Sequence, residues 1–86
     1  MQSKNKLIGY RDKIDEIDNM IFKLLEERFK VVEKVGKYKA QNNLPVRNIK
    51  RESEIIEEKI KKTKLDKKFI QDFYRIIFKQ AYWIEK

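Results

Sequence analysis

From Leu7 to Tyr38 apolar residues recur at alternating steps of three and four: Leu7, Tyr10, Ile14, Ile17, Ile21, Leu24, Val31, Val35 and Tyr38. Side chains so spaced fall along one side of an α-helix and form a heptad seam. No proline interrupts the run, and a glycine such as Gly36 costs a helix only about 1 kcal/mol relative to alanine. The pattern predicts one helix from about Lys6 to Gln41. A helix of about 36 residues is about 54 Å long at about 1.5 Å per residue, whereas a compact domain of this size has a radius of gyration near ~12 Å. Such a helix outgrows its own globule, and the simplest cover for its seam is an identical chain about a two-fold axis.

The segment Asn42-Asn43-Leu44-Pro45-Val46-Arg47 breaks the period, and Pro45 disfavours helical backbone at Leu44, so a loop is expected here. Asn48 suits the N-cap of a second helix running to about Lys62, with Ile49, Ile55, Ile56 and Ile60 on its apolar side. Asp66 suits the N-cap of a third helix to Glu85, with a stripe of Phe69, Ile70, Phe73, Tyr74, Ile77, Phe78, Ala81 and Ile84. The lysine-rich stretch from Lys59 to Lys68 reads as a solvated turn region. The expected fold is all-α, with three helices per protomer at about 6-41, 49-62 and 67-85, one long, one short and one medium. They form a single domain over 1-86 in an intertwined helical homodimer, with Met1 read as a natural start.

Composition narrows the chemistry. With no cysteine and no histidine, thiol nucleophiles, imidazole bases, disulfides and the usual zinc ligand sets are excluded. No apolar run approaches the roughly 20 residues of a membrane span and no signal-peptide core is present, so the chain reads as cytoplasmic with no membrane partner. A formal charge of +8 points to anionic partners without choosing among nucleic acid, a membrane surface and a small charged metabolite.

The cations on the long helix sharpen this. Position 28, where the seam calls for an apolar residue, is arginine, and a buried guanidinium requires an anionic partner. A parallel line of Arg11, Asp18, Leu25, Val32 and Lys39 puts two more cations beside the stripe. Arg28 and Lys39 lie about 16 Å apart along the axis, close enough for long side chains to converge on one small dianion. Arg11 lies about 25 Å from Arg28, too far within one chain. If two long helices pair antiparallel and cross near residue 22, however, Arg11 of one chain meets about residue 33 of the other, between Arg28 and Lys39. The competing reading is that Arg28 pairs with Asp18 or Glu27 while Arg11 and Lys39 snorkel to water.

Taken together, Leu7-Ile8-x-x-Arg11-x-x-Ile14-Asp15-x-x-Asp18, Leu24-Leu25-x-Glu27-Arg28, Val35-Gly36-x-x-Lys39 and Pro45-Val46-Arg47-x-x-x-Arg51-Glu52 resemble the AroQ, or all-helical, class of chorismate mutase. The resemblance implies an intertwined dimer whose two sites draw residues from both chains and which converts chorismate to prephenate with no cofactor and no metal. By position, Arg28 and Arg51, with Arg11 from the other chain, would grip the substrate carboxylates. Lys39 would reach a carboxylate and the ether oxygen whose bond breaks. Glu52 would accept a hydrogen bond from the ring hydroxyl; its other reading is first-turn compensation of the helix dipole.

Three positions depart from the class pattern. Asn48 stands where an aspartate is frequent, and it still caps the helix and offers backbone groups to the hydroxyl. Ala81 replaces a common serine and loses one hydroxyl contact to a carboxylate. Glu85 stands where a glutamine donates to the ether oxygen, and it donates only when protonated; its other reading is a solvated chain end.

The resemblance implies aromatic amino acid biosynthesis, and nothing in the chain suggests an effector domain, so insensitivity to phenylalanine and tyrosine is expected. Two rivals remain. One is an isochorismate pyruvate lyase on the same scaffold, distinguished by pyruvate release. The other is a non-enzymatic basic helical module, which has the charge but no nucleic-acid reading motif and would lose affinity steeply with salt.

Overall fold

The computed structural model describes the backbone of residues 2–86 and the side chains of residues 5–86; Met1, read as a natural start, lies outside the described residues. Three helices follow one another: α1 (Gln2–Gln41), α2 (Ile49–Lys62) and α3 (Lys67–Glu85). The described residues contain no strand, and the fold class is all-α. Helix α1 starts at Gln2 rather than near Lys6, because nothing in Gln2-Ser3-Lys4-Asn5 stops a helix from extending backwards. Among the described residues no helix is long and apolar enough to cross a membrane. The chain divides into two compact units, one ending at Lys30 and one beginning at Val31.

In the first unit the seam residues Leu7, Tyr10, Ile14, Ile17, Ile21 and Leu24 are all exposed, as are Met20 and Phe22. Of its described side chains only Leu25, Arg28 and Phe29 are half-shielded. Arg28, expected as an interruption within the seam, is therefore grouped by burial with Leu25 and Phe29 and not with its seam neighbour Leu24.

The second unit holds the core. Helix α1 ends in a Schellman arrangement: the Leu44 N–H donates to the Lys39 carbonyl at 2.8 Å and the Asn43 N–H to that of Ala40 at 3.4 Å. This closure needs left-handed backbone after the helix, which Asn43 supplies at φ 56°; asparagine is among the few non-glycine residues that adopt it readily. Pro45 follows and stops any continuation. Asn48 Oδ1 accepts from the Arg51 N–H at 3.1 Å to start α2, and Asp66 Oδ2 accepts from the Phe69 N–H at 3.0 Å to start α3.

Helix α3 packs against α2 and buries Ile70, Tyr74, Ile77 and Ala81, four positions at helical spacing that form one face. The stripe expected for α3 was broader. Phe78 and Ile84 are half-buried, whereas Phe69 and Phe73 are exposed and stack on each other with ring centroids 6.3 Å apart. On α2, Ile55, Ile56 and Ile60 are half-buried but Ile49 faces water. The lysine-rich stretch is not a turn region: only Thr63 to Asp66 lies outside the helices. Lys59, Lys61 and Lys62 sit in the last turn of α2, where positive charge compensates the helix dipole.

Gly36 explains how closely α1 approaches the end of α3. A Cβ at this position would lie 2.8 Å from the Cα of Glu85 and 3.2 Å from its Cβ, so nothing larger than glycine fits without backbone movement. Gly36→Ala is expected to destabilise the protein by about 1–3 kcal/mol through overpacking, although alanine is the better helix former. A thermal melt checks it, and an unchanged or raised Tm would show that the contact is not there.

Candidate active site

Lys39 occupies the last turn of α1, where its backbone carbonyl is already committed to the loop through Leu44. Its side chain turns toward the same loop: the ammonium donates to the Val46 carbonyl at 2.7 Å and to Glu85 Oε1 at 2.6 Å. The Lys39 side chain is 21% exposed and that of Glu85 10%, so the pair is largely screened from water and its hydrogen bonds are charge-assisted. Of the three N–H donors of the ammonium, these bonds employ two. Glu85, one residue from the chain end, is held by Lys39, by the glycine gap at Gly36 and by α3, whose last turn is closed by the Lys86 N–H donating to the Tyr82 carbonyl at 3.0 Å.

The N-terminal turn of α2 carries the next group. Arg51 is exposed on its first turn and gives its backbone N–H to Asn48. Glu52, part-buried beside it, receives a fork from Arg47: Nη2 to Oε1 at 3.0 Å and Nε to Oε2 at 3.4 Å. The Glu52 carboxylate, by hydrogen bond and by charge, holds the Arg47 guanidinium above its ordinary pKa. Both residues line an open cleft of about 390 Å³ with Arg75, Phe78, Lys79 and Tyr82. The sequence pattern gives Arg47 no role, because its spacing of five from Glu52 crosses a loop–helix junction, where helical periodicity carries no signal.

Arg28 and Arg11 belong to the first unit. The Nη1 nitrogen of Arg28 is shielded from solvent and has no hydrogen-bond partner, and no ion pair links it to Asp18 or Glu27 among the described residues. A shielded donor without an acceptor costs about 1–3 kcal/mol, and none of the described residues supplies that acceptor. Arg11 is exposed.

The second unit thus brings together Lys39, Glu85 and the loop, with Glu52 fixed by the same loop's next residue. Residues 10–86 match the family described as chorismate mutase type II. The chain belongs to that family. It is 34% identical over 89 residues to a bifunctional chorismate mutase/prephenate dehydratase of Buchnera aphidicola subsp. Acyrthosiphon pisum, covering 100% of this chain and 23% of that protein. A protein of the same description from Escherichia coli K12 is 34% identical over 84 residues, covering 94% of this chain and 22% of its own length. One from Aquifex aeolicus is 44% identical over 48 residues, covering 56% of this chain and 13% of its own. The chain spans about a quarter of the length of the first two of these relatives.

Two expected departures from the family pattern have clear places. Asn48 is the N-cap of α2, its side-chain oxygen committed to the Arg51 N–H. Ala81 is buried on α3 and lies one turn before Glu85 on the same side of the helix.

The Lys39–Glu85 pair makes a direct prediction about stability. Lys39→Ala leaves a shielded carboxylate without its cation and is expected to cost about 1–3 kcal/mol, while adding Glu85→Gln should recover much of that loss. Urea unfolding of the three variants measures the coupling; equal effects of Lys39→Ala in both backgrounds would deny it.

Proposed function

We propose that this chain is a chorismate mutase domain that rearranges chorismate to prephenate in the cytoplasmic route to phenylalanine and tyrosine, with no cofactor. The observation that carries the reading is the placement of Lys39, a screened ammonium at the junction of α1, the loop and α3 with Glu85 at 2.6 Å. The reaction is intramolecular: the ether C–O bond breaks as a C–C bond forms, so no nucleophile or metal is required. The protein must hold the reactive conformer and stabilise charge on the ether oxygen. Lys39 donates to that oxygen and to a carboxylate. Glu85, when protonated, donates to the same oxygen, and Glu52 accepts from the ring hydroxyl. Arg51 takes up a substrate carboxylate, Asn48 offers backbone groups beside the hydroxyl, and Ala81 forms an apolar wall; Arg28, whose shielded Nη1 lacks an acceptor, is a further cation suited to an anion.

A second copy of the chain completes the site. The seam from Leu7 to Tyr38 is exposed along its length, and α3 adds a further exposed apolar row in Phe69, Phe73, Ile76 and Trp83. Surfaces of this extent favour an interface, and a two-fold pairing of α1 with its copy supplies the cover while carrying Arg11 of the partner subunit to the substrate.

Chorismate supplied to the purified protein should be converted to prephenate. Lys39→Ala should lower kcat by about a hundredfold or more, the range for losing a donor aimed at developing charge. Glu85→Gln, whose amide is a donor in its ordinary state, should turn over chorismate faster than the wild type. Absence of prephenate, or an undiminished Lys39→Ala, would sink the reading.

A further inference from the structure

Two consecutive residues of the loop between α1 and α2 hold two different groups of the site. The Val46 carbonyl accepts the Lys39 ammonium at 2.7 Å, and Arg47 forks Glu52 through Nη2 at 3.0 Å and Nε at 3.4 Å. The loop is itself pinned, by the Leu44 N–H on the Lys39 carbonyl at one end and by the Asn48 cap at the other. A guanidinium engaging both oxygens of a carboxylate fixes the plane of that carboxylate as well as its position, which a point charge does not do. The two oxygens offer about four lone-pair directions, so a fork on one edge leaves acceptor capacity free on the other.

We propose that Arg47 is a positioning residue for the reaction, orienting the Glu52 carboxylate as an ionised acceptor for the ring hydroxyl of the substrate. The inference rests on the mutase reading above. It does not make Arg47 a contributor to stability: the Arg47 side chain is 56% exposed, and exposed ion pairs add little to folding. Its effect lies in the orientation of Glu52 and is read in turnover. Because the plane of the carboxylate matters, lysine is a poor substitute; because Arg47 acts only through Glu52, its loss is silent once Glu52 can no longer serve as the ionised acceptor.

The test is a double-mutant cycle on kcat/KM for chorismate with wild type, Arg47→Lys, Glu52→Gln and the double variant, with Arg47→Ala alongside and thermal melts of all five. Arg47→Lys should lose about tenfold, a coupling typical of residues in direct contact, with Tm unchanged. Arg47→Ala should lose at least as much, and the double variant should be no slower than Glu52→Gln alone. Losses that multiply in the double variant, or an Arg47→Lys enzyme as fast as wild type, overturn the positioning role while wild-type turnover leaves the mutase reading intact. A wild-type protein that does not convert chorismate removes both.

Discussion

A lysine ammonium withdrawn from water needs nearby oxygens to replace the water it gave up, and Lys39 receives two such oxygens from segments far apart in the chain. One is the Val46 carbonyl, which exists at the right place because Asn43 turns left-handed and Pro45 ends the helix. The other is Glu85, which reaches Lys39 because Gly36 lets the α3 backbone lie against α1. Turn chemistry, a helix stop and a side-chain-free contact therefore serve one cation. In the proposed reaction the same cation faces the oxygen on which negative charge gathers.

The second constraint is shortage of core. Among the described residues only Ile70, Tyr74, Ile77 and Ala81 are buried hydrophobics, all on α3, while nine seam positions of α1 remain in water. A chain this short buries a modest share of its surface at best, and here the largest apolar surface is still uncovered. Dimerisation in the proposed manner answers both problems together: it covers the seam and brings a third arginine to the substrate. In that proposal stability and catalysis depend on the same interface.

Much of the architecture was legible in the sequence because local rules dictate it. Helical periodicity gave α1, and the Asn48 and Asp66 caps with Pro45 placed the starts of α2 and α3 and the break between α1 and α2. What local rules do not contain is which face of an amphipathic helix finds a neighbour. Phe69, Phe73 and Ile49 fit the periodic stripes yet lie on flanks that α2 and α3 leave open to water. Arg28 was assigned to the seam by spacing, whereas its shielding belongs with Leu25 and Phe29. The role of Gly36 is a three-dimensional close approach, and Arg47 reaches Glu52 across a loop; neither has a periodic signature. Spacing beside the seam singles out Lys39 and the family resemblance brings in Glu85; 46 residues apart in the chain, they are joined by the fold in one ion pair.

The central claim, that chorismate is rearranged at a site shared between two copies, is tested most directly by mixing two inactive proteins. Arg11→Ala and Lys39→Ala each damage both sites of their own homodimer. After unfolding and refolding together in equal amounts, half the dimers should be mixed, and each mixed dimer should carry one site with an intact Lys39 and an intact Arg11. The account predicts that activity returns to about a quarter of the wild-type level, the share expected from random two-fold pairing. A mixture no more active than its components would contradict the shared site, and with it the role given to the partner subunit's Arg11.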